Sequence, residues 1–74
     1  MNEHIKISIA SPPDREKLVA MIDYHNSQWA ELNQEGDELI VELYPRRDGQ
    51  PWVFTFKDII EALTTAKNKL ELKS

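Results

Sequence analysis

The most chemically distinctive stretch of the sequence is YPRRDGQPW, residues 44–52. It places two adjacent arginines, Arg46 and Arg47, between the aromatic residues Tyr44 and Trp52. Arginine next to stacking aromatic side chains is a combination that single-strand nucleic-acid binders use. Tryptophan, tyrosine and arginine are also enriched at protein-binding hot spots. The stretch is therefore either a binding loop or only the turn between two strands.

The same stretch carries a strong turn signal. Asp48-Gly49 is a dipeptide typical of hairpin turns, and Pro45 and Pro51 limit ladder pairing on either side of it. We expect a strand, a turn with the two arginines exposed at its tip, and a short return strand with the sequence PWVF. In this arrangement Trp52 points toward the core.

No other group of residues indicates a defined chemistry. The acids and the histidine that could act in acid–base catalysis fall on predicted strands or turns of a chain too small for a deep pocket. They are Asp23, His25, Glu31, Glu35 and Glu42. Asp23 and His25 have the i, i+2 spacing of two zinc ligands on one strand face, but nothing supplies the other ligands. We therefore expect a protein that is not an enzyme and that has no metal or other cofactor.

Length, charge and composition limit the classes of function. A chain of 74 residues has room for one domain, which we assign to residues 1–74. Thirteen acidic and nine basic side chains give a net charge of −4, which disfavours nucleic-acid and anionic-membrane binding because phosphate affinity needs a basic face. The sequence has no cysteine and no apolar run near the roughly 18 residues of a membrane span. We therefore expect a cytoplasmic protein.

The chain begins with a clear strand, and residues 14–33 then allow two interpretations. HIKISIA alternates apolar and polar residues from Ile5 to Ile9, as a half-buried strand does. In a helical interpretation, Ser11 caps a helix that Pro12 begins. The run DYHNS opposes the helix, because five consecutive weak helix formers together cost about 2.5 kcal/mol relative to alanine.

In the other interpretation, which we favour, the same run is the turn of a β-hairpin. Residues 18–24 and 28–33 are its strands, and His25, Asn26 and Ser27 connect them. Asparagine tolerates the left-handed conformations that such turns require. The helical interpretation would instead give the element order βαββα.

Two later elements complete the predicted fold. LIVELY alternates and is predicted as a strand, with Leu39, Val41 and Leu43 on one face. TFKDIIEALTTAKNKLEL has the spacing of an amphipathic helix, and Thr55 followed by an acid three residues later is a capping box. The predicted buried stripe of this helix consists of Phe56, Ile59, Ile60, Leu63, Ala66, Lys67 and Leu70.

The predicted fold class is α+β, a small antiparallel β-meander of about five strands with one C-terminal α-helix packed on one face. Because the helix covers only one face, some large apolar residues should stay exposed on the other. We expect Trp29, Ile40 and Tyr44 there, and a cluster of such residues indicates an interface. The candidate interaction residues are Trp29, Tyr44, Arg46 and Arg47.

Three stretches carry a resemblance to a known family. WAELNQE at residues 29–35, VELYPRRDGQPWVF at residues 41–54 and the closing DIIEALTTAKNKL resemble a family of short bacterial proteins of undetermined function, over most of the chain. The resemblance implies no catalytic residue. By analogy of size and charge alone, small acidic bacterial proteins of this build include immunity proteins and antitoxins.

These observations predict a small bacterial protein-interaction module that neutralises or regulates a protein partner, or that associates with itself. The alternative is a small-ligand or nucleic-acid binder that uses residues 44–52. Salt-dependent binding that requires Arg46 and Arg47 would distinguish the alternative from the first function.

Overall fold

The computed structural model describes residues 2–73, which form one antiparallel sheet and one helix. The elements are β1 (Ile5–Ala10), β2 (Val19–Tyr24), β3 (Ser27–Asn33), β4 (Ile40–Leu43) and α1 (Phe56–Lys73). Strands that follow one another along the chain are neighbours in the sheet, in the order β1-β2-β3-β4. The predicted α+β meander with a C-terminal helix is confirmed.

The fifth predicted strand, PWVF, does not form, so the described residues contain four strands. Pro45 and Pro51 lack the amide hydrogens that a ladder along β4 would use. The predicted turn is nevertheless present. Gly49 has a φ angle of 77°, and its amide donates to the carbonyl oxygen of Arg46 at 3.1 Å. The turn therefore leads the chain away from the sheet instead of joining two strands.

β2 and β3 form the hairpin that the sequence favoured, and the helical alternative for residues 14–33 is wrong. The turn consists of His25 and Asn26, which have φ angles of 49° and 65°. Two consecutive left-handed residues are typical of a type I′ turn, whose twist matches that of the flanking strands. Ser27 already belongs to β3 and pairs with Tyr24.

A β-bulge moves Trp29 to the side of the sheet that carries α1. The register between β2 and β3 shifts after the Ile22–Ala30 pair, so that Trp29 has no counterpart on β2. Its ring centroid lies 5.0 Å from that of Phe54, and the residue is 6% exposed. The prediction that Trp29 lies on the open face is therefore wrong, because the bulge interrupts the strict alternation on which it depended.

Helix α1 begins as predicted, since Thr55 Oγ1 accepts a hydrogen bond from the backbone amide of Asp58 at 3.1 Å. The helix packs over β1 and β2 and reaches β3, but it does not come within packing distance of β4. Its fully buried residues are Ala62, Ala66 and Leu70. No helix within residues 2–73 has the length and apolar character needed to cross a membrane.

The predicted buried stripe of α1 is partly wrong. Ile59 and Leu63 do pack against the core, but Phe56 is 82% exposed and Ile60 is 45% exposed. Ala62, on the side of α1 that faces the sheet, is buried instead, and its small side chain lets the helix approach the strands closely. Because α1 is right-handed and runs from the hairpin end of the sheet to the opposite end, the flank with Phe56 and Ile60 faces β4. The α1 side of β4 therefore has no helix packed over it.

Candidate functional site

Three of the four predicted interaction residues lie in the loop between β4 and α1, where Arg46 is firmly held. Arg46 Nε lies 3.0 Å from Asp48 Oδ1, and a guanidinium N–H of Arg46 donates to the carbonyl oxygen of Pro51 at 3.2 Å. The guanidinium also lies 5.9 Å from the ring centroid of Trp52, in a cation–π contact. Arg46 therefore shapes the loop and does not offer a free charge.

Arg47 is exposed and has no ion pair or hydrogen bond with any other described residue. It lines a shallow pocket of about 240 Å³ together with His25, Ser27 and Trp52. An adjoining pocket of about 220 Å³ shares Ser27, Arg47 and Trp52 and includes Tyr44. Each pocket is smaller than the roughly 300–1,000 Å³ of typical small-molecule sites. Either pocket would therefore hold only a small ligand, and the guanidinium of Arg47 would favour an anion.

Tyr44 connects this loop to polar residues on the open face, the face of the sheet without α1. Its carbonyl oxygen accepts a hydrogen bond from Trp52 Nε1 at 2.9 Å, and its hydroxyl donates to Glu42 at 3.5 Å. Burial raises the pKa of Tyr44, and the negative charges of Glu31 and Glu42 raise it further. Tyr44 is half-buried, so it is less exposed than the sequence predicted.

Arg15 is the centre of these polar contacts, and the sequence analysis did not identify it. One guanidinium nitrogen lies 2.9 Å from Glu31 Oε2 and 3.0 Å from both carboxylate oxygens of Glu42. The hydrogen bond that the Arg15 guanidinium donates to Glu42 is the main cause that raises the pKa of Arg15. Arg15 is 16 and 27 positions away from its two partners, so no local spacing indicated the contact. Glu31 and Glu42 are therefore ion-pair partners, not free catalytic acids.

Glu35 and His25, two other candidates for catalysis or metal binding, also contact neighbouring residues. Glu35 Oε1 accepts hydrogen bonds from the backbone amides of Glu16 and Lys17 at 2.9 and 3.3 Å. His25 stacks on His4, with ring centroids 4.0 Å apart. No three histidine, aspartate or glutamate side chains between residues 2 and 73 come together as metal ligands would. Glu35 and His25 therefore each have a structural partner in the fold.

The most unusual surface of the protein is strand β4. Three of its four residues are large, apolar and exposed, namely Ile40 (43%), Val41 (43%) and Leu43 (67%). We call these residues the β4 edge surface. Ile40 belongs to the open face, as predicted, whereas Val41 and Leu43 lie on the α1 side. Val41 and Leu43 are exposed because α1 lies over β1 and β2 and leaves β4 uncovered.

The free edge of β4 also presents unpaired backbone groups. The amide of Tyr44 donates to the carbonyl oxygen of Trp29 on β3 at 2.9 Å. Because hydrogen-bonding direction alternates along a strand, every second residue before Tyr44 also bonds to β3. Val41 and Leu43 lie between these residues, so their N–H and C=O groups point away from the sheet. An exposed apolar edge of this kind is a template for pairing with another strand.

Of the predicted interaction residues, Tyr44, Arg46 and Arg47 lie in one loop, whereas Trp29 bonds to the Tyr44 amide through its carbonyl oxygen and is buried in the core. Comparison with protein-family models, with curated protein sequences and with solved structures finds no match for this chain. The resemblance to a family of short bacterial proteins stays a prediction.

Proposed function

We propose that this protein is a protein-interaction module and that the β4 edge surface is where a partner binds. The observation that carries this proposal is the position of Ile40, Val41 and Leu43 on an edge strand, each at least 43% exposed. Edge strands in natural monomers usually carry lysine, proline or a covering loop that prevents pairing. β4 carries no lysine, Pro45 lies just beyond its end, and its one charged residue, Glu42, is paired with Arg15.

The exposure of both strand faces favours an extended partner segment over a helix. A helix docked beside α1 would cover Val41 and Leu43 but would leave Ile40 on the open face uncovered. A strand added to the edge of β4 places its side chains alternately on both faces and therefore covers all three residues. Its backbone would also satisfy the outward N–H and C=O groups of Val41 and Leu43.

The biological role that we infer is the neutralisation or regulation of a bacterial protein partner in the cytoplasm. The small size, the net charge of −4 and the lack of cysteine support this role. A negative net charge speeds association with a cationic partner at low salt. In this role the protein has no catalytic activity of its own.

The test is a cross-linking and affinity experiment in cells that express the tagged protein. Leu43→Lys places a charge on the β4 edge surface, and Leu72→Lys is its matched control, because Leu72 is 85% exposed on α1. We expect partner proteins recovered with wild type and Leu72→Lys to be lost with Leu43→Lys. Equal recovery with all three proteins would contradict the proposed surface.

A second candidate function is the binding of a small anion, and the observation that favours it is the exposed Arg47 beside Ser27 and Trp52. Two titrations at low salt test this function, one with inorganic phosphate and one with a short single-stranded oligonucleotide. Tryptophan fluorescence reports the binding in both. Binding that weakens with salt and disappears in Arg47→Ala would support it. We expect no binding above the non-specific level, because the net charge of −4 opposes polyanions.

A further inference from the structure

We propose that β4 pairs with β4 of a second copy of the chain, antiparallel and about a two-fold axis, so that two sheets join into one of eight strands. This inference rests on the proposed function, because it names the occupant of the β4 edge surface. The evidence is that the β4 edge of one copy complements the β4 edge of another in backbone hydrogen bonding and in apolar side chains.

The backbone groups allow one favourable register. Within β4 the residues whose hydrogen-bonding groups point outward are Val41 and Leu43, and pairing with a second copy would extend the same alternation two residues back from Val41 to Leu39, which directly precedes the strand. When Val41 lies opposite Val41 of the second copy, Leu39 lies opposite Leu43, and all outward groups of these residues find partners. Two-fold symmetry then repeats each contact, which is how most homodimers close.

The neighbouring registers are worse for identifiable reasons. Moving the axis to Glu42 would place two carboxylates directly opposite each other. Moving the axis to Leu43 would place Val41 opposite Pro45, which has no N–H to donate. Glu42 and Pro45 thus favour the register centred on Val41 over these two.

The side chains of that register also match. On the α1 side, Leu43, which is 67% exposed, would contact Leu39 of the second copy, and the two Val41 side chains would meet at the axis. On the open face, Ile40 would lie beside Glu42. The Glu42 carboxylate already accepts hydrogen bonds from Arg15 at 3.0 Å, so that pairing leaves no charge without a partner.

A dimer in which the outer side of α1 packs against the sheet of a second copy is less favourable than this edge pairing. The side of α1 that points away from the sheet carries Lys57, Glu61, Thr64 and Asn68, which are polar. The sheet of a second copy would desolvate these residues without an apolar contact in return. The edge pairing leaves them in water.

The size and charge of the contact predict how the dimer should behave. The β4 edge surface is small compared with the roughly 800 Å² per partner of a stable complex, so association should depend on concentration. Each copy has a net charge of −4, so two copies repel each other at long range. Added salt screens this repulsion and should strengthen the dimer, whereas it would weaken a contact held by opposite charges.

Sedimentation equilibrium between about 10 μM and about 1 mM protein, at low and moderate salt, tests the proposal. The mass should rise from 8.6 kDa toward twice that value, and more steeply at the higher salt. Val41→Pro removes an outward N–H without touching the bonds between β3 and β4, and Leu43→Lys adds like charges at the contact. Both variants should remain monomeric, whereas the control Leu72→Lys should dimerise like wild type. Circular dichroism should show that each variant is folded.

The outcomes separate this inference from the proposed function. A wild-type protein that stays monomeric over the whole range would overturn the β4 pairing, even if Leu43→Lys still prevents the recovery of another protein from cells. A dimer that survives both β4 variants would overturn the pairing as well. Should Val41→Pro be unfolded, Leu43→Lys alone decides between these outcomes.

Discussion

The guanidinium of Arg15 lies 2.9 Å from the carboxylate of Glu31 and joins the loop between β1 and β2 to β3 across the open face of the sheet. The Glu31 side chain is only 10% exposed, so its charge depends on this partner. We expect Arg15→Gln to lower the Tm. Adding Glu31→Gln to this variant should recover part of the loss, because a neutral amide at position 31 needs no counter-ion. Thermal unfolding of both single variants and the double variant measures the coupling. Losses that simply add would contradict it.

Trp29 should contribute more to stability than Arg47, which lies in the loop between β4 and α1. Because its indole is buried against Phe54, Trp29→Ala should lower the free energy of unfolding by about 3–5 kcal/mol. Arg47→Ala should change it by less than about 0.5 kcal/mol. Urea unfolding monitored by circular dichroism gives both values. A small effect of Trp29→Ala would mean that the bulge does not place the indole in the core.

The hairpin turn should accept glycine and reject ordinary residues. Asn26 has a φ angle of 65°, which glycine adopts without strain and alanine does not. Asn26→Gly should therefore keep or slightly raise the Tm, whereas Asn26→Ala should cost about 1 kcal/mol. Thermal melts of the two variants provide the comparison. A lower Tm for the glycine variant than for the alanine variant would count against the type I′ turn.

Helix α1 should depend on Leu70 and not on Phe56. Leu70 is 1% exposed, so Leu70→Ala should cost about 2–5 kcal/mol and leave a domain of this size largely unfolded. Phe56 is 82% exposed, so Phe56→Ala should change stability by less than about 0.5 kcal/mol. Chemical denaturation distinguishes the two. The reverse order would show that the helix is rotated so that Phe56 is buried and Leu70 is exposed.

Tyr44 should make the fold sensitive to alkali. Its pKa is raised above the ordinary value of 10.0, so the folded state holds the phenol proton more tightly than the unfolded state does. This contribution is complete below the unfolded pKa and is lost as the pH rises through the folded pKa. Tyr44→Phe removes it. Between about pH 9 and pH 11, the Tm of the variant should therefore fall less than that of wild type. Parallel curves would contradict a raised pKa.

Local patterns in the sequence determined most of the secondary structure. The alternation in HIKISIA gave β1, the weak helix formers around Asn26 gave the hairpin turn, and Thr55 gave the start of α1. These features depend on neighbouring residues in the chain, such as φ preferences, side-chain period and capping. Such preferences act before any long-range contact forms.

The sequence patterns were wrong where a distant partner decides the outcome. The bulge that turns Trp29 into the core depends on the pairing of β2 with β3. The exposure of Phe56 and Leu43 depends on where α1 lies across the sheet, and that position is determined by packing against β1 and β2. An amphipathic pattern predicts that one side of a helix is buried, but the helix can rotate by part of a turn without changing the pattern.

The candidate site shows the same division. The sequence by itself determined that Tyr44, Arg46 and Arg47 belong to one turn-forming loop and that the net charge is negative. Only the tertiary structure decided that Arg15 neutralises Glu42 and that the β4 edge surface is uncovered. The physical reason is that ion pairs and exposure depend on distances between residues far apart in the chain. Those distances exist only after the sheet and the helix have packed together.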